Sequence, residues 1–395
     1  MAPQDGARQH TVVVGGGIVG LSIAWEAGRR GHRITLVDPD PGNGATYAAA
    51  GMLAPVSELH YREEHLLDLT LRSAELYPDF VDRLTADSGR QSGYQRTGTV
   101  VAAVDAADRQ TLADLHRTQL SLGLQSERLS IRQARRLEPM LGPQVTGAFL
   151  AAADHQVDPR AMAAALQAAL ARQHNFSAVR SEAAGLLKDD DGGISGVRLT
   201  DGSSLAADEV VLANGVAAAR IEDPPAGLAL PLRPVYGDIL RLNVPPALRP
   251  LLTRTVRAVV RGRAVYLVPR SDGSVVIGAT QRENGSSAVS AGGIYELLRD
   301  AQAVVPAVAE LELTEMVCRP RPGTADNAPL LGRCRHPDGK NIAGLLVAAG
   351  FFRHGVLLAP LAAAVCADLI DGAGTLVELE RYRPDRFAGA LEEAL

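Results

Sequence analysis

The spacing of apolar and polar positions divides the chain into short buried runs separated by helical stretches. Residues 11–14 (TVVV) have no polar break, the pattern of a strand covered on both faces. Residues 18–30 follow at helical spacing, with Leu21, Ala24, Trp25 and Gly28 placed to pack on a sheet, and residues 34–37 form a second strand ended by Asp38. Further along, the same reading predicts a helix over 64–84, a strand over 97–104, and a helix opened by Asp158 as N-cap with Pro159 in its first turn. A hairpin turning at Asp201-Gly202 leads into the strand "DEVVLANG", and residues 256–280 read as one long hairpin turning at Asp272-Gly273. A helix over 292–305 and a closing strand, glycine turn and helix over 345–370 complete the pattern.

Gly15, Gly17 and Gly20 give G-x-G-x-x-G between the first strand and the first helix. Glycines there permit a tight turn, close approach of a pyrophosphate and close helix–strand packing, and the helix N-terminus offers N–H donors to phosphate. A glycine-rich turn alone has the same spacing. The strand–turn–helix context, with Asp38 placed to accept hydrogen bonds from a ribose diol, points to a dinucleotide. The next segment, "PGNGATYAAAGMLAP" (41–55), is dense in small residues that let backbone lie against a flat ligand, and the distant "VVLANG" strand ends in a similar turn. A ligand reached by segments so far apart in sequence fits FAD better than NAD. The expected fold is therefore α/β (α+β overall): an FAD-binding Rossmann-like domain from 1–88, 148–230 and 320–395, with a discontinuous antiparallel-sheet substrate domain from 89–147 and 231–319.

Composition narrows this picture. The chain has 395 residues and a formal charge of −5, with no block of like charges, which argues against a nucleic-acid partner. Lys188 and Lys340 are the only lysines, so almost all positive charge is arginine. Cys318, Cys334 and Cys366 form no CxxC, and the nine histidines form no HExxH or HxH, so no metal site is expected. The first apolar run reads as a strand rather than a signal peptide, and the C-terminal apolar stretch is broken by Arg353, Pro360 and Asp368. A reduced cytoplasmic protein with no membrane span is the expectation. Arg353 lies in the most apolar stretch of the chain; a buried guanidinium is expensive unless a carboxylate meets it, from the protein or from a ligand.

The motifs "VVVGGGIVGLSIAWE", "ATYAAAGMLAP", "VDPRAMAAAL", "VYLVPRSDGSVVIGAT", "CRPRPGTADNAPLLG" and "GFFRHGVLLAP" together resemble the D-amino-acid oxidase superfamily, and within it the glycine oxidases of thiamine biosynthesis. The resemblance implies FAD contacts at Ile18 and Val19 in the glycine loop, Asp38 and Pro39 at the adenosine ribose, and Ala45, Thr46, Ala50, Gly51 and Met52 at the pyrophosphate and flavin. It implies a backbone contact at Ala183, and a turn under the flavin ring from Phe351, Phe352, Arg353, His354, Gly355, Val356 and Leu357. Arg319 and Arg353 match substrate contacts and Tyr266 a pocket tyrosine; read alone, Arg319 is more readily a solvated arginine and Tyr266 equally a core residue. The sequence departs from the family pattern at Phe351, His354, Ala264 and Gln281. The activity implied by the resemblance is oxidation of glycine, or another small amine, to an imine with O2 as acceptor, in a homo-oligomer. A sarcosine or D-amino-acid oxidase or dehydrogenase is the alternative, and a tRNA-modifying flavoprotein a more distant one. Cys318 stands where a related branch links the flavin covalently, but the adjoining Arg319-Pro320 follows the glycine oxidase pattern, so non-covalent FAD is expected.

Overall fold

A computed structural model describes residues 8–225, 228–336 and 338–387. Two large sheets organise it. The first has six strands in the order Leu330–Arg335, Asn341–Ala349, Glu209–Leu212, His10–Val14, Arg33–Val37, Phe176–Val179, all parallel except the Leu330–Arg335 edge. Strand His10–Val14 is buried on both faces, which is why its sequence is a continuous apolar run rather than an alternating one. Val13 joins the core formed with helices Ile18–Arg29, Leu67–Ser88, Pro159–Ala171 and Ala359–Ile370, while Val12 and Val14 face the other side, covered by a small antiparallel sheet of 183–206.

The second sheet has eight strands in the order Glu312–Gly323, Arg233–Asn243, Ser274–Gly278, Arg263–Pro269, Thr255–Val260, Thr99–Ala103, Gly147–Ala151, Glu127–Leu129. Its pairs are antiparallel except Thr99–Ala103 with Thr255–Val260. Helix Ala291–Val304 packs on one face through Leu297, Ala301 and Val304. The opposite face, with Ile239, Val268, Val276 and Val317, meets Ala48 and Ala50 of the small-residue segment. Strands Glu312–Gly323 and Gly147–Ala151 lie wholly in this sheet and so run across the expected boundaries at 319/320 and 147/148.

The expected long hairpin over 256–280 is instead a three-stranded meander. An additional turn falls at Arg261-Gly262, where both residues have positive φ, 55° and 74°. That is the backbone of the tight turns that match strand twist. Arginine in the first position hides the turn, because the side chain gains nothing there that an Asn or Asp would. No helix among the described residues is long and apolar enough to cross a membrane.

Candidate active site

A cavity of about 620 Å³ opens between the two sheets. At one end the chain comes as close to itself as backbone allows. A Cβ on Gly20 would fall 1.9 Å from the Gly15 carbonyl oxygen, and one on Gly15 2.5 Å from that of Ala213. The first helix is thus seated directly under the loop that precedes it. Asp38 organises this loop: Oδ2 accepts from Gly16 N at 2.6 Å and Oδ1 from Asp40 N at 2.7 Å. Each oxygen keeps a second lone pair for a ligand hydroxyl. Thr46 Oγ1 accepts from Ile18 N at 2.9 Å and so ties the small-residue segment to the helix start.

In the middle, Gly51 has φ +73° and a Cβ there would lie 2.0 Å from the Val157 carbonyl oxygen. Arg270 holds this junction from the sheet side. Its guanidinium donates to the carbonyl oxygens of Ala50 at 2.5 Å and Val157 at 3.0 Å, and burial lowers it to about 10. Sequence reading does not single out Arg270. Its signal is the arginine that closes the otherwise apolar strand "VYLVPR".

At the far end, Tyr266 stands opposite Arg257 on one neighbouring strand and Gly278 on the other. A Cβ on Gly278 would come within 2.3 Å of the Tyr266 hydroxyl, so glycine makes room for the ring. Burial raises Tyr266 to about 12 against the pull of Arg321 beside its hydroxyl, so it remains a neutral donor. The turn 351–358 forms the floor, pinned from beneath by helix Leu67–Ser88: Tyr77 OH donates to Val356 O and Ser73 Oγ to Leu357 O, both at 2.6 Å.

The residues selected from sequence all line this cavity except Gly20, His354 and Leu357. Gly20 acts through close packing, and Leu357 is a core side chain. His354 faces a small void beside Glu58, His60 and Glu63, where burial lowers it to about 4 against the attraction of Glu58, leaving a neutral imidazole. The question raised by Arg353 has a protein answer: its Nη2 pairs with Glu63, which also accepts from Asn327 Nδ2 at 2.8 Å. Arg319 is drawn to the glycine-rich segment, donating to Asn43 O at 3.1 Å, rather than to the Tyr266 end. Arg321, two residues on and on the same strand face, lies there instead.

Arg321 makes no ion pair among the described residues; its one hydrogen bond goes to the Thr280 carbonyl at 3.4 Å. Arg257 pairs with Glu58 at 2.5 Å. The Tyr266 end therefore holds three arginines against two carboxylates, an excess of one positive charge, located at Arg321.

The whole cavity fits an extended dinucleotide. A Cβ on Gly44 or Gly215 would meet nothing within 4 Å among the described residues, so these glycines leave an open cradle beside the Asp38 loop. Asn214 Oδ1, on the same wall, is buried without a partner among the described residues.

A profile of the family described as FAD dependent oxidoreductase matches residues 10–369. The chain belongs to that family. Among its relatives, the glycine oxidase of Geobacillus kaustophilus is 32% identical over 385 residues, covering 97% of this chain and 98% of the relative. The crystal structure of the G. kaustophilus enzyme superposes with a TM-score of 0.85, covering 96% of this chain and 99% of that one. The bifunctional protein ThiO/ThiG of Trichormus variabilis is 32% identical over 95% of this chain, which corresponds to 55% of that longer protein. The iminodiacetate oxidase structure from Chelativorans sp. BNC1 matches at TM-score 0.82 and 27% identity, covering 95% of this chain and 98% of that one. The protein is thus an FAD-dependent amine-oxidising enzyme with a Rossmann-like fold, and the cavity is where FAD fits.

Two outcomes are expected of this FAD-dependent oxidoreductase. Asp38→Ala should weaken FAD binding roughly tenfold to a hundredfold, the loss of one or two charged hydrogen bonds; flavin retained after gel filtration of the variant measures it. Cys318 is buried, its Sγ lies 3.3 Å from Arg282 Nη2, and it does not line the cavity. On acid precipitation the yellow colour should stay in the supernatant; colour in the pellet would show a covalent link.

Proposed function

We propose that the protein oxidises glycine, as the free amine, to the imine, with O2 reduced to H2O2. The imine then hydrolyses to glyoxylate and ammonia or supplies the iminoglycine unit of thiamine thiazole synthesis. The observation that carries this reading is the unpaired Arg321 beside the Tyr266 hydroxyl. A single excess positive charge, held in a largely buried pocket, suits one carboxylate. Glycine oxidases and a ThiO/ThiG protein among the relatives support the substrate and the pathway.

Bound in this cavity, FAD would supply the two-electron oxidising capacity for the substrate Cα–H bond, with oxygen as the final acceptor. The remaining work belongs to the chain. Arg321 offers two parallel N–H donors to the carboxylate, and Tyr266 donates from strand Arg263–Pro269, with Arg233–Asn243 and Ser274–Gly278 between the two in the same sheet. Arg353, neutralised by Glu63, lines the cavity with Phe351 and Phe352. Fixing the carboxylate orients Cα, and orientation of this kind is worth up to roughly 7–11 kcal/mol. We further propose that the six-stranded sheet and its helices form the cofactor domain and the eight-stranded sheet the substrate domain.

Anaerobic mixing with glycine, sarcosine, D-alanine and iminodiacetate tests the reading. Glycine should bleach the flavin fastest. Iminodiacetate, with a second carboxylate against one excess charge, should be a poor reductant. Faster bleaching by sarcosine or D-alanine would replace glycine as the substrate.

A further inference from the structure

Glu58 pairs with Arg257, which stands opposite Tyr266 on the neighbouring strand, and Arg321 lies beside the Tyr266 hydroxyl, so groups of opposite charge meet at this residue. All four line the same end of the cavity. A carboxylate anchored at Arg321 leaves the other end of a small amino acid facing the negative group. We propose that Glu58 receives the substrate's amino nitrogen, and that this makes the site select α-amino acids over α-hydroxy acids of the same size. The proposal rests on the reading of Arg321 as the carboxylate anchor.

The geometry of Glu58 suits this role. It pairs with Arg257 through Oε1, at 2.5 Å, and among the described residues Oε2 takes no hydrogen bond. Its backbone is fixed from three directions. Glu58 N donates to Ala54 O at 3.1 Å, and Gln119 Nε2 donates to Val56 O at 2.9 Å. The buried Asp154 accepts from Val56 N at 3.0 Å and from Ser57 N at 2.7 Å, one carboxylate oxygen to each. A carboxylate on so rigid a segment is held in place before substrate arrives. Burial opposes its ionisation, but the guanidiniums of Arg257 first and then Arg353 hold it below the usual range, so it is charged when substrate binds. An amine or ammonium offers it two or three N–H donors, whereas a hydroxyl in the same place offers one and no charge. Proton transfer is not required of Glu58. It positions the nitrogen, and the ammonium proton leaves to water.

The competing account is that Glu58 only neutralises Arg257. The two are separated by measuring two ligands on the FAD-loaded protein: glycine, by anaerobic flavin reduction, and glycolate, by its perturbation of the flavin spectrum. In Glu58→Gln we expect apparent glycine affinity to fall at least tenfold while glycolate binds equally well or more tightly, because the unpaired Arg257 attracts any carboxylate. If Glu58 only neutralises Arg257, both ligands shift together, and that result overturns the proposal. The double variant Glu58→Gln/Arg257→Gln restores the charge balance. There glycolate should return to within threefold of wild type and glycine should remain weak; recovery of both would overturn the proposal. If the glutamine variant does not fold, Glu58→Asp decides: a smaller glycine-to-glycolate preference supports the role and an unchanged one overturns it. Wild-type protein that responds to neither ligand would overturn the Arg321 reading and this proposal with it. A joint shift in the variants alone leaves Arg321 standing.

Discussion

Arg321→Met is expected to lower kcat/KM for glycine by roughly 30- to 4,000-fold while FAD content stays near that of the wild type. The range corresponds to about 2–5 kcal/mol for truncating one partner of a buried hydrogen-bonded charge pair. The effect is large because, among the described residues, the other arginines at this end are paired: Arg257 is held by Glu58 and Arg353 by Glu63. Arg321→Lys should recover only part of the loss, since an ammonium is a point charge without the planar fork. Arg319→Met is the internal control. Its guanidinium lies on Asn43, so its removal should leave glycine kcat/KM within a few fold of the wild type. The reverse pattern, with Arg319 essential and Arg321 dispensable, would exchange their assignments.

The second large effect concerns Arg353, and it is expected in stability first. Its side chain is 18% exposed and that of Glu63 10%, so the pair is largely out of water. Removing one member strands the other, at a cost of about 3–5 kcal/mol. Arg353→Met should therefore lower the urea midpoint of the FAD-loaded protein clearly, and Glu63→Gln/Arg353→Met should recover more than half of the loss. A double variant as weak as the single one would show that the pair is not the cause. If folded, flavin-replete Arg353→Met enzyme keeps wild-type glycine kcat/KM, then Arg353 is a structural residue of the turn and the carboxylate is left to Arg321 alone.

The sequence displays some of this and conceals the rest for identifiable reasons. The first strand, helix and strand are legible because their packing is local: glycines where backbone meets backbone, apolar residues at the period of each element. The 345–370 segment is legible for the same reason. Helix Ala106–Ser121 is hard to see in the sequence because it lies on the surface with few apolar positions; Leu112 is its one buried apolar side chain, and Asp105 caps it through a reciprocal pair with Asp108. The ion pairs are invisible there because pairing is a property of the folded chain. Glu63 lies 290 positions from Arg353. Arg319 and Arg321 alternate with prolines on one strand face, and only the folded chain shows that the first reaches Asn43 and the second Tyr266. Glu58 and Arg257 carry no motif at all.

The order of strands in the six-stranded sheet has a consequence for synthesis. Asn341–Ala349 is an interior strand beside Glu209–Leu212, and the floor of the cavity, 351–358, follows it directly. A ribosome that has released the first three hundred residues has therefore exposed the glycine loop, the Asp38 contacts and the strands that flank them, but neither the Asn341–Ala349 strand nor the floor. Closure of so distant a pairing is slow, and until it occurs the nascent chain presents the groove without its floor. Stable flavin binding is thus expected to follow release of the last fifth of the chain rather than the emergence of its most recognisable motif.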